Sequence, residues 1–185
     1  MIDDIMNEAR SKMAAAVEHT RASFAKIRTG RANPGLITDL PVEYYGTPTP
    51  LQQIAGVSVP EARMLVISPY DASALKEIER ALSQSDLGLN PSNDGKIIRV
   101  IFPDLTEERR KEFVKLARER AEEGRVAVRN IRRQAKGDLG ALLEMSEITE
   151  DDSHRAEGRL QDLTDQHIAE IDQVLVNKEK ELLEV

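Results

Sequence analysis

The chain has 185 residues, and its 33 acidic and 26 basic side chains give it a formal net charge of −7. This length fits one large domain or two small ones, and the charge-rich, aromatic-poor composition favours long helices over a β-sandwich. The lack of cysteine excludes a disulfide framework and a thiolate metal site or nucleophile, and the lack of a signal peptide or a long apolar run predicts a cytoplasmic protein.

The first predicted element is a helix over residues 2–28. Gly30 terminates this helix, and the following Asn33-Pro34-Gly35 cannot continue it. Its apolar face follows the three- and four-residue spacing of a helix and comprises Ile2, Met6, Ala9, Met13, Ala16, Thr20, Phe24 and Ile27.

Residues 36–102 contain shorter elements and many turn residues, which predicts a compact α+β unit. An amphipathic helix is expected over residues 71–85, with Leu75, Ile78 and Leu82 on its apolar face. The expected β-rich segments are 36–45, 51–59, 63–68 and 97–102, separated by breaks at residues 46–50 and 90–95.

Two more long helices complete the chain. The first begins after Thr106, which is placed to cap it, and runs to about Met145. The second begins at a pair typical of a capping box, Thr149 and Asp152. Its apolar stripe comprises Leu160, Leu163, His167, Ile171, Val174, Leu175 and Leu182.

Long amphipathic helices at both ends of the chain can bury their apolar stripes only against one another. The sequence therefore predicts an α+β fold, with an antiparallel three-helix bundle formed by residues 1–30 and 106–185. A small β-rich domain of residues 31–105 is inserted into this bundle. We expect the two domains to change their relative orientation in function, about a hinge formed by Gly30, Arg31, Ala32, Asn33, Pro34, Pro103, Asp104, Leu105 and Thr106.

The middle helix carries the most unusual segment of this acidic protein. Residues 125–136 include five cationic side chains and no acidic one. At about 100° per residue, an apolar side of the helix is expected to hold Phe113, Leu116, Ala127, Ile131 and Leu142. The other side forms a cationic stripe of Lys111, Arg118, Arg125, Arg129, Arg132 and Lys136, flanked by Arg133.

The cationic stripe has two interpretations. Its cations can pair with acids of the acidic last helix on a solvated face, or they can bind a polyanion. The second is favoured because no acid between Arg125 and Lys136 is available for pairing, and because Arg holds phosphate with a two-pronged geometry. No aromatic side chain accompanies the stripe, so we expect it to bind the backbone and shape of folded RNA.

No catalytic constellation is evident in the sequence. His19, His154 and His167 are far apart, and the segment Gly95-Lys96 lacks the spacing of a phosphate-binding loop. We therefore predict that the protein is not an enzyme and uses no cofactor or metal.

Three glycines lie inside the middle helix, each at a cost of about 1 kcal/mol relative to Ala. They are Gly124, which is expected to permit close packing, and Gly137 and Gly140, for which we have no structural account.

Five segments, in order along the chain, together resemble the bacterial ribosome recycling factor family (ribosome-releasing factors). The resemblance covers essentially the whole chain, and the glycines inside the middle helix depart from the family's pattern. The five segments are Lys26–Pro34 (KIRTGRANP), Glu43–Leu51 (EYYGTPTPL), Ser85–Pro91 (SDLGLNP), Leu105–Lys111 (LTEERRK) and Arg125–Arg133 (RVAVRNIRR).

The resemblance implies an L-shaped, tRNA-like monomer without a DNA or membrane partner. Its helical bundle would bind large-subunit ribosomal RNA near the aminoacyl and peptidyl sites, and its α+β domain would face the small subunit and the GTPase elongation factor G. With that GTPase and GTP it would split the post-termination ribosome into subunits, so that mRNA and tRNA leave. The implied RNA-binding positions are Arg28, Arg31, Arg129, Arg132 and Arg133, and further RNA contacts are expected at Arg110, Arg118, Arg125 and Lys136.

An alternative of another class is a non-catalytic, acidic helical adaptor whose three helices recognise a protein partner. The adaptor predicts binding that tolerates mutation of the stripe and depends weakly on salt. Phosphate contacts instead predict a steep loss of affinity as the salt concentration rises.

Overall fold

The structure is a computed structural model that describes residues 1–184. The α-helices of the described chain are α1 (Ile2–Ala25), α2 (Leu51–Ile54), α3 (Leu75–Gln84), α4 (Glu107–Glu144) and α5 (Glu150–Leu183). Its strands are β1 (Pro41–Tyr44), β2 (Thr47–Pro50), β3 (Ala55–Glu61), β4 (Met64–Pro69), β5 (Pro91–Asn93) and β6 (Ile98–Ile101). The chain divides into two compact units: a helical unit of Met1–Phe24 with the chain from Lys111 onward, and an α+β unit of Ala25–Arg110.

Helices α1, α4 and α5 pack side by side in the helical unit. Helix α4 runs antiparallel to both α1 and α5. Near one end of the bundle Arg118 of α4 reaches Glu179 of α5, and towards the other end Lys136 reaches Glu157. Helix α1 runs the opposite way to α4, since Thr20 faces Gly124 whereas the start of α1 lies beside the later residues of α4. The predicted α+β fold class with a helical bundle is confirmed.

The buried face of α4 differs from the predicted one. Phe113, Leu116, Ala127, Ile131 and Leu142 are only half-buried. The fully buried positions are mostly small, and they are Ala117, Ala121, Gly124, Val128, Ala135 and Leu139. At about 100° per residue, this face is turned by roughly 60° from the prediction, towards the cationic stripe. Small residues allow α4 to approach both neighbouring helices, but they contribute little to an apolar pattern in the sequence.

Helix α1 ends at Ala25, three residues earlier than predicted. The side-chain amide of Asn33 donates a hydrogen bond to the carbonyl of Ala25 (3.2 Å), which satisfies one of the last carbonyls of the helix. The residues that follow belong to the α+β unit, where the Arg28 guanidinium lies over the Phe102 ring and Gly30 packs near Leu105. The two units therefore divide several residues away from the predicted domain bounds.

A four-stranded antiparallel sheet with the strand order β3-β4-β6-β5 forms the base of the α+β unit. Side chains alternate along β6, so that Ile98 and Val100 are buried while Arg99 and Ile101 face outwards. Helix α3 covers the sheet with Leu75, Ile78 and Leu82, the three residues predicted for its apolar face. Strands β1 and β2 form a separate two-stranded ribbon.

Three short elements of this unit were predicted wrongly. Strand β2 and strand β5 occupy stretches predicted as breaks, and α2 lies in a segment predicted to be β-rich. Pro48 and Pro50 are tolerated because β2 pairs only with β1 and needs no N–H on its other side, and Pro91 opens the edge strand β5. Residue 36 ends a 3₁₀ turn, so β1 begins later than predicted.

The turn between β1 and β2 brings two tyrosines to one carboxylate. Tyr45 and Gly46 both have positive φ (49° and 76°), as the centre of a two-residue hairpin turn requires. The hydroxyls of Tyr44 and Tyr45 donate to Asp71 Oδ2 (3.1 and 3.0 Å), and Asp71 Oδ1 accepts from the Ser73 N–H (2.9 Å). Hydrogen bonds from Ser73 and then from the tyrosines lower the pKa of Asp71 to about 2.

Candidate nucleic-acid interface

Three cations of the cationic stripe reach across from α4 to acids on α5. Because the core face of α4 is turned towards the stripe, these side chains lie at the edge of the α4–α5 contact. The pairs are Arg118 Nε with Glu179 Oε1 (2.5 Å), Arg125 Nη2 with Asp172 Oδ1 (2.7 Å), and Lys136 Nζ with Glu157 Oε2 (2.9 Å). The first interpretation, pairing with the acidic last helix, therefore holds for part of the stripe.

Glu122, an acid on α4 itself, also pairs with the stripe. Glu122 accepts hydrogen bonds from Arg125 Nη1 (3.0 Å) and from Arg129 Nη1 (2.9 Å), and the hydrogen bonds from Arg129 and then Arg125 lower the pKa of Glu122. The expectation that the stripe lacks pairing within its own helix is thus wrong for these two arginines. Glu122 precedes the acid-free segment by one helical turn, and long Arg side chains reach back to it.

Arg132 and Arg133 differ from the rest of the stripe. Arg132 Nη1 donates to the amide oxygen of Gln161 (3.0 Å), and Arg133 Nη1 donates to that of Asn130 (3.3 Å). Neither arginine forms an ion pair with any residue in the 1–184 range. The C-terminal end of the stripe therefore carries two guanidinium groups that are positioned by neutral amides and have no ion-pair partner among the described residues.

The ion pairs of the other stripe cations are weak enough to be exchanged. Most of their side chains are exposed, with Lys136 and Glu157 at 59% and 39% of full side-chain exposure. Exposed pairs of this kind contribute only about 0.2–1 kcal/mol each. A polyanion can therefore replace the carboxylates at small cost.

The remaining predicted RNA-binding positions belong to the α+β unit. Arg28 is half-buried, its guanidinium carbon lies 5.8 Å from the centre of the Phe102 ring, and its Nε and Nη2 are buried without a hydrogen-bond partner among the described residues. Arg31 is exposed. Arg110 follows Thr106 in the first turn of α4, where the Thr106 hydroxyl caps the helix by accepting from the Arg109 N–H (3.2 Å).

Both predicted hinge segments are bound to the same turn of the α+β unit, between β3 and β4. The Ala32 N–H donates to the Ala62 carbonyl (2.7 Å), and the Phe102 N–H donates to the Arg63 carbonyl (2.8 Å). The Arg63 guanidinium also pairs with the Asp104 carboxylate. These bonds give the two segments defined conformations, and the hinge itself stays a prediction.

Other kinds of site find little support in the described part of the chain. No group of three or more His, Asp or Glu side chains among residues 1–184 is arranged to hold a metal ion. None of the described helices has both the length and the apolar character needed to cross a membrane.

Comparisons with known proteins agree with the resemblance seen in the sequence. The family model described as ribosome recycling factor matches residues 20–183. The ribosome-recycling factors of a Nocardioides species and of Thermobifida fusca are 55% and 54% identical to the chain over 185 residues, which is 100% of each protein.

Two solved structures are also similar over the whole chain. A solution structure of a ribosome recycling factor has 44% sequence identity and a TM-score of 0.80, with 100% of this chain and 98% of that chain covered. The second, with 48% identity, a TM-score of 0.70 and 100% of both chains covered, comes from models of the T. thermophilus ribosome recycling factor and E. coli elongation factor G bound to the E. coli post-termination complex.

Proposed function

Because the chain belongs to the ribosome recycling factor family, we propose that it docks on the ribosome through the cationic stripe of α4. It is a non-catalytic translation factor that acts after termination. Together with elongation factor G and GTP it splits the post-termination complex into subunits, and mRNA and tRNA are released. We propose that it acts in the cytoplasm, where post-termination ribosomes are found. The family does not favour the alternative of an acidic adaptor for a protein partner.

The observation that carries the docking proposal is the uncompensated charge of Arg132 and Arg133. Both guanidinium groups are held only by neutral amides, although the chain as a whole is acidic and α5 supplies carboxylates to the neighbouring cations. Arg binds phosphate through two parallel N–H donors, so two adjacent arginines fit the backbone of folded ribosomal RNA. Arg129 extends this surface when its pairing with Glu122 is exchanged for phosphate.

The acidic last helix orients the protein on the ribosome, and the α+β unit connects it to elongation factor G. The last helix is strongly acidic, so the electrostatic field of the helical unit favours one face against RNA and disfavours the others. We propose that this face meets large-subunit ribosomal RNA near the aminoacyl and peptidyl sites. The α+β unit faces the small subunit and elongation factor G, and the segments Gly30–Pro34 and Pro103–Thr106 serve as the hinge.

The function is tested by a subunit-splitting assay on post-termination ribosomes. The complete mixture of this protein, elongation factor G and GTP is expected to separate the subunits, whereas mixtures that lack either GTP or the GTPase are not. Light scattering or sucrose-gradient sedimentation measures the separation. Intact ribosomes in the complete mixture would overturn the assignment.

The docking surface is tested by comparing two substitutions on the same helix. Arg132→Ala is expected to weaken ribosome binding by about tenfold or more, because a hydrogen bond to a charged group contributes about 1.5–3 kcal/mol. It is also expected to reduce the salt dependence, since each lost phosphate contact removes about 0.7–0.9 from the slope of log K against log salt.

Arg120→Ala is the matched control, because it removes the same charge from α4 at a position that pairs with Glu123, away from the stripe. Its affinity and salt slope are expected to stay close to those of the unmodified protein. Equal effects of the two substitutions would show that the stripe has no special role, and binding that is insensitive to salt would point to a protein partner.

A further inference from the structure

A cavity of about 270 Å³ opens between α4 and α5 in the helical unit. One wall is formed by Arg132 and Lys136 of the cationic stripe, and the other by successive turns of α5. The α5 wall includes His154, Glu157, Gly158 and Gln161. The cavity therefore adjoins the uncompensated charge of Arg132.

Gly158 is the feature of this wall that packing does not explain. It lies well inside α5, where glycine is less favourable than any residue except proline. Glycines in helices are often required by close contacts, as at Gly124, but a Cβ added at residue 158 would meet nothing within 4 Å. The missing side chain leaves open space on the wall that also carries His154 and Gln161.

The cavity has the chemistry of a nucleotide site. Arg132 and Lys136 can bind a phosphate, and the imidazole of His154 offers a flat face of the kind on which unpaired RNA bases stack. Gln161 and Glu157 provide side chains that can hydrogen-bond to the edge of a base. Sites that enclose drug-sized ligands measure about 300–1,000 Å³, so a slightly smaller, open cavity suits a single planar group.

We propose that this cavity receives one unpaired nucleotide of ribosomal RNA, with the phosphate on Arg132 and Lys136 and the base between His154 and Gly158. The proposal rests on the proposed function and adds a base contact to a surface that otherwise binds backbone. Lys136 now pairs with Glu157 at 2.9 Å, and Arg132 with Gln161 at 3.0 Å. Both contacts are exposed and are exchanged when the nucleotide enters, which releases Glu157 and Gln161 for the base.

The test fills the cavity from the Gly158 position without touching any charged side chain. Gly158→Leu puts a branched side chain into the space, and Gly158→Ala adds only one methyl group. Both substitutions improve helix propensity, so the thermal midpoint of each variant is expected to equal or exceed that of the unmodified protein. Ala15→Leu is the control, because it adds the same branched side chain at an exposed position of α1, where it touches neither the cavity nor the cationic stripe of α4.

Two measurements on isolated large ribosomal subunits are made with the full-length protein. The dissociation constant is expected to rise about tenfold for Gly158→Leu, which equals 1.4 kcal/mol, and to change much less for Gly158→Ala. Ala15→Leu is expected to bind like the unmodified protein. Chemical probing of the RNA is expected to show at least one base that the unmodified protein protects and Gly158→Leu leaves reactive, while backbone protections persist.

The outcomes separate this inference from the proposed function. If the unmodified protein binds large subunits but Gly158→Leu binds equally well and protects the same bases, the nucleotide site is overturned and the docking surface stands. If Gly158→Leu weakens binding without altering any base reactivity, the cavity contacts something other than a base, and the inference also fails. If the unmodified protein does not bind large subunits at all, the proposed function itself is wrong.

Discussion

Gly124 is the glycine of the helical unit with the least space for a side chain. A Cβ at this position would collide with the hydroxyl of Thr20 and would lie 3.2 Å from Cδ1 of Ile171, so the close packing predicted for this glycine is confirmed. Thr20 is buried and its hydroxyl already donates to the Ala16 carbonyl (3.0 Å), which limits its freedom to move aside.

Gly124→Ala is therefore expected to destabilise the protein. Overpacking typically costs about 1–3 kcal/mol, which exceeds the gain of about 1 kcal/mol in helix propensity. Urea unfolding followed by circular dichroism measures the net loss. In the control Gly137→Ala a stability gain is expected, because its added methyl group meets nothing within 4 Å. Adding Thr20→Ala to Gly124→Ala should recover stability, and a Gly124→Ala variant as stable as the control would contradict this account.

Asp71 makes stability depend on pH in the acidic range. Its folded-state pKa of about 2 lies below the value of about 3.9 for an unperturbed aspartate. A depressed pKa means that the carboxylate contributes stability above about pH 4 and that this contribution is lost as the pH falls towards 2. Asp71→Asn keeps a side chain that can cap the Ser73 N–H but removes the charge.

The difference in melting temperature between the unmodified protein and Asp71→Asn is thus expected to be largest at neutral pH and to shrink between pH 4 and pH 2. Thermal unfolding across this range measures it. A difference that stays constant from pH 7 to pH 2 would show that the charge of Asp71 plays no part.

At the scale of elements, α5 begins with a capping box that the sequence predicts and the structure confirms. Thr149 Oγ1 accepts from the Asp152 N–H (3.1 Å), and Asp152 Oδ2 accepts from the Thr149 N–H (3.3 Å). The hydrogen bonds from Thr149 lower the pKa of Asp152. Both residues are near the surface, so the capping effect can be isolated from core packing.

Thr149→Ala is expected to reduce the free energy of unfolding by about 0.5–2 kcal/mol, the usual cost of losing an N-cap. Thr149→Ser retains the hydroxyl and is expected to stay within a few tenths of a kcal/mol of the unmodified protein. Urea denaturation of both variants provides the comparison. Equal stability of the alanine and serine variants would mean that the box does not hold the start of α5.

Elements were predictable from the sequence where local signals agree with one another. The three long helices follow from apolar periodicity, breakers and caps such as Thr106 and Thr149, all of which act within a few residues. Strands β2 and β5 could not be predicted in the same way, because Pro48 and Pro91 lie on edges whose existence depends on distant pairing. The rotation of α4 was missed because alanine and glycine bury well but give a weak apolar signal.

The candidate site was also predictable only where local sequence features determine it. The acid-free run from Arg125 to Lys136 identifies the cations, since charge is a property of the sequence itself. Which residues of α5 lie beside these cations depends on the packing between the two helices. No sequence pattern near the arginines therefore identifies Gln161 or Gly158 as their neighbours. The uncompensated state of Arg132 and Arg133, which supports the function best, is therefore visible only in the structure.

At the scale of the whole molecule, charge is arranged by element. Residues 107–136 carry eleven cations and six acids, whereas residues 137–185 carry four cations and fourteen acids. Placing these two segments side by side neutralises part of the stripe through pairs such as Arg125 with Asp172. The remaining positive charge is confined to a small area, which suits selective docking on one RNA surface better than general attraction to nucleic acid.

The position of the tyrosines gives this chain two independent optical signals. It contains no tryptophan, and all three tyrosines, Tyr44, Tyr45 and Tyr70, lie in the α+β unit. Fluorescence excited beyond the absorption of phenylalanine therefore comes from that unit alone, while far-ultraviolet circular dichroism is dominated by α1, α4 and α5. During one urea titration, coincident transitions of the two signals would indicate a single cooperative unit, and separate transitions would reveal the order in which the two units unfold.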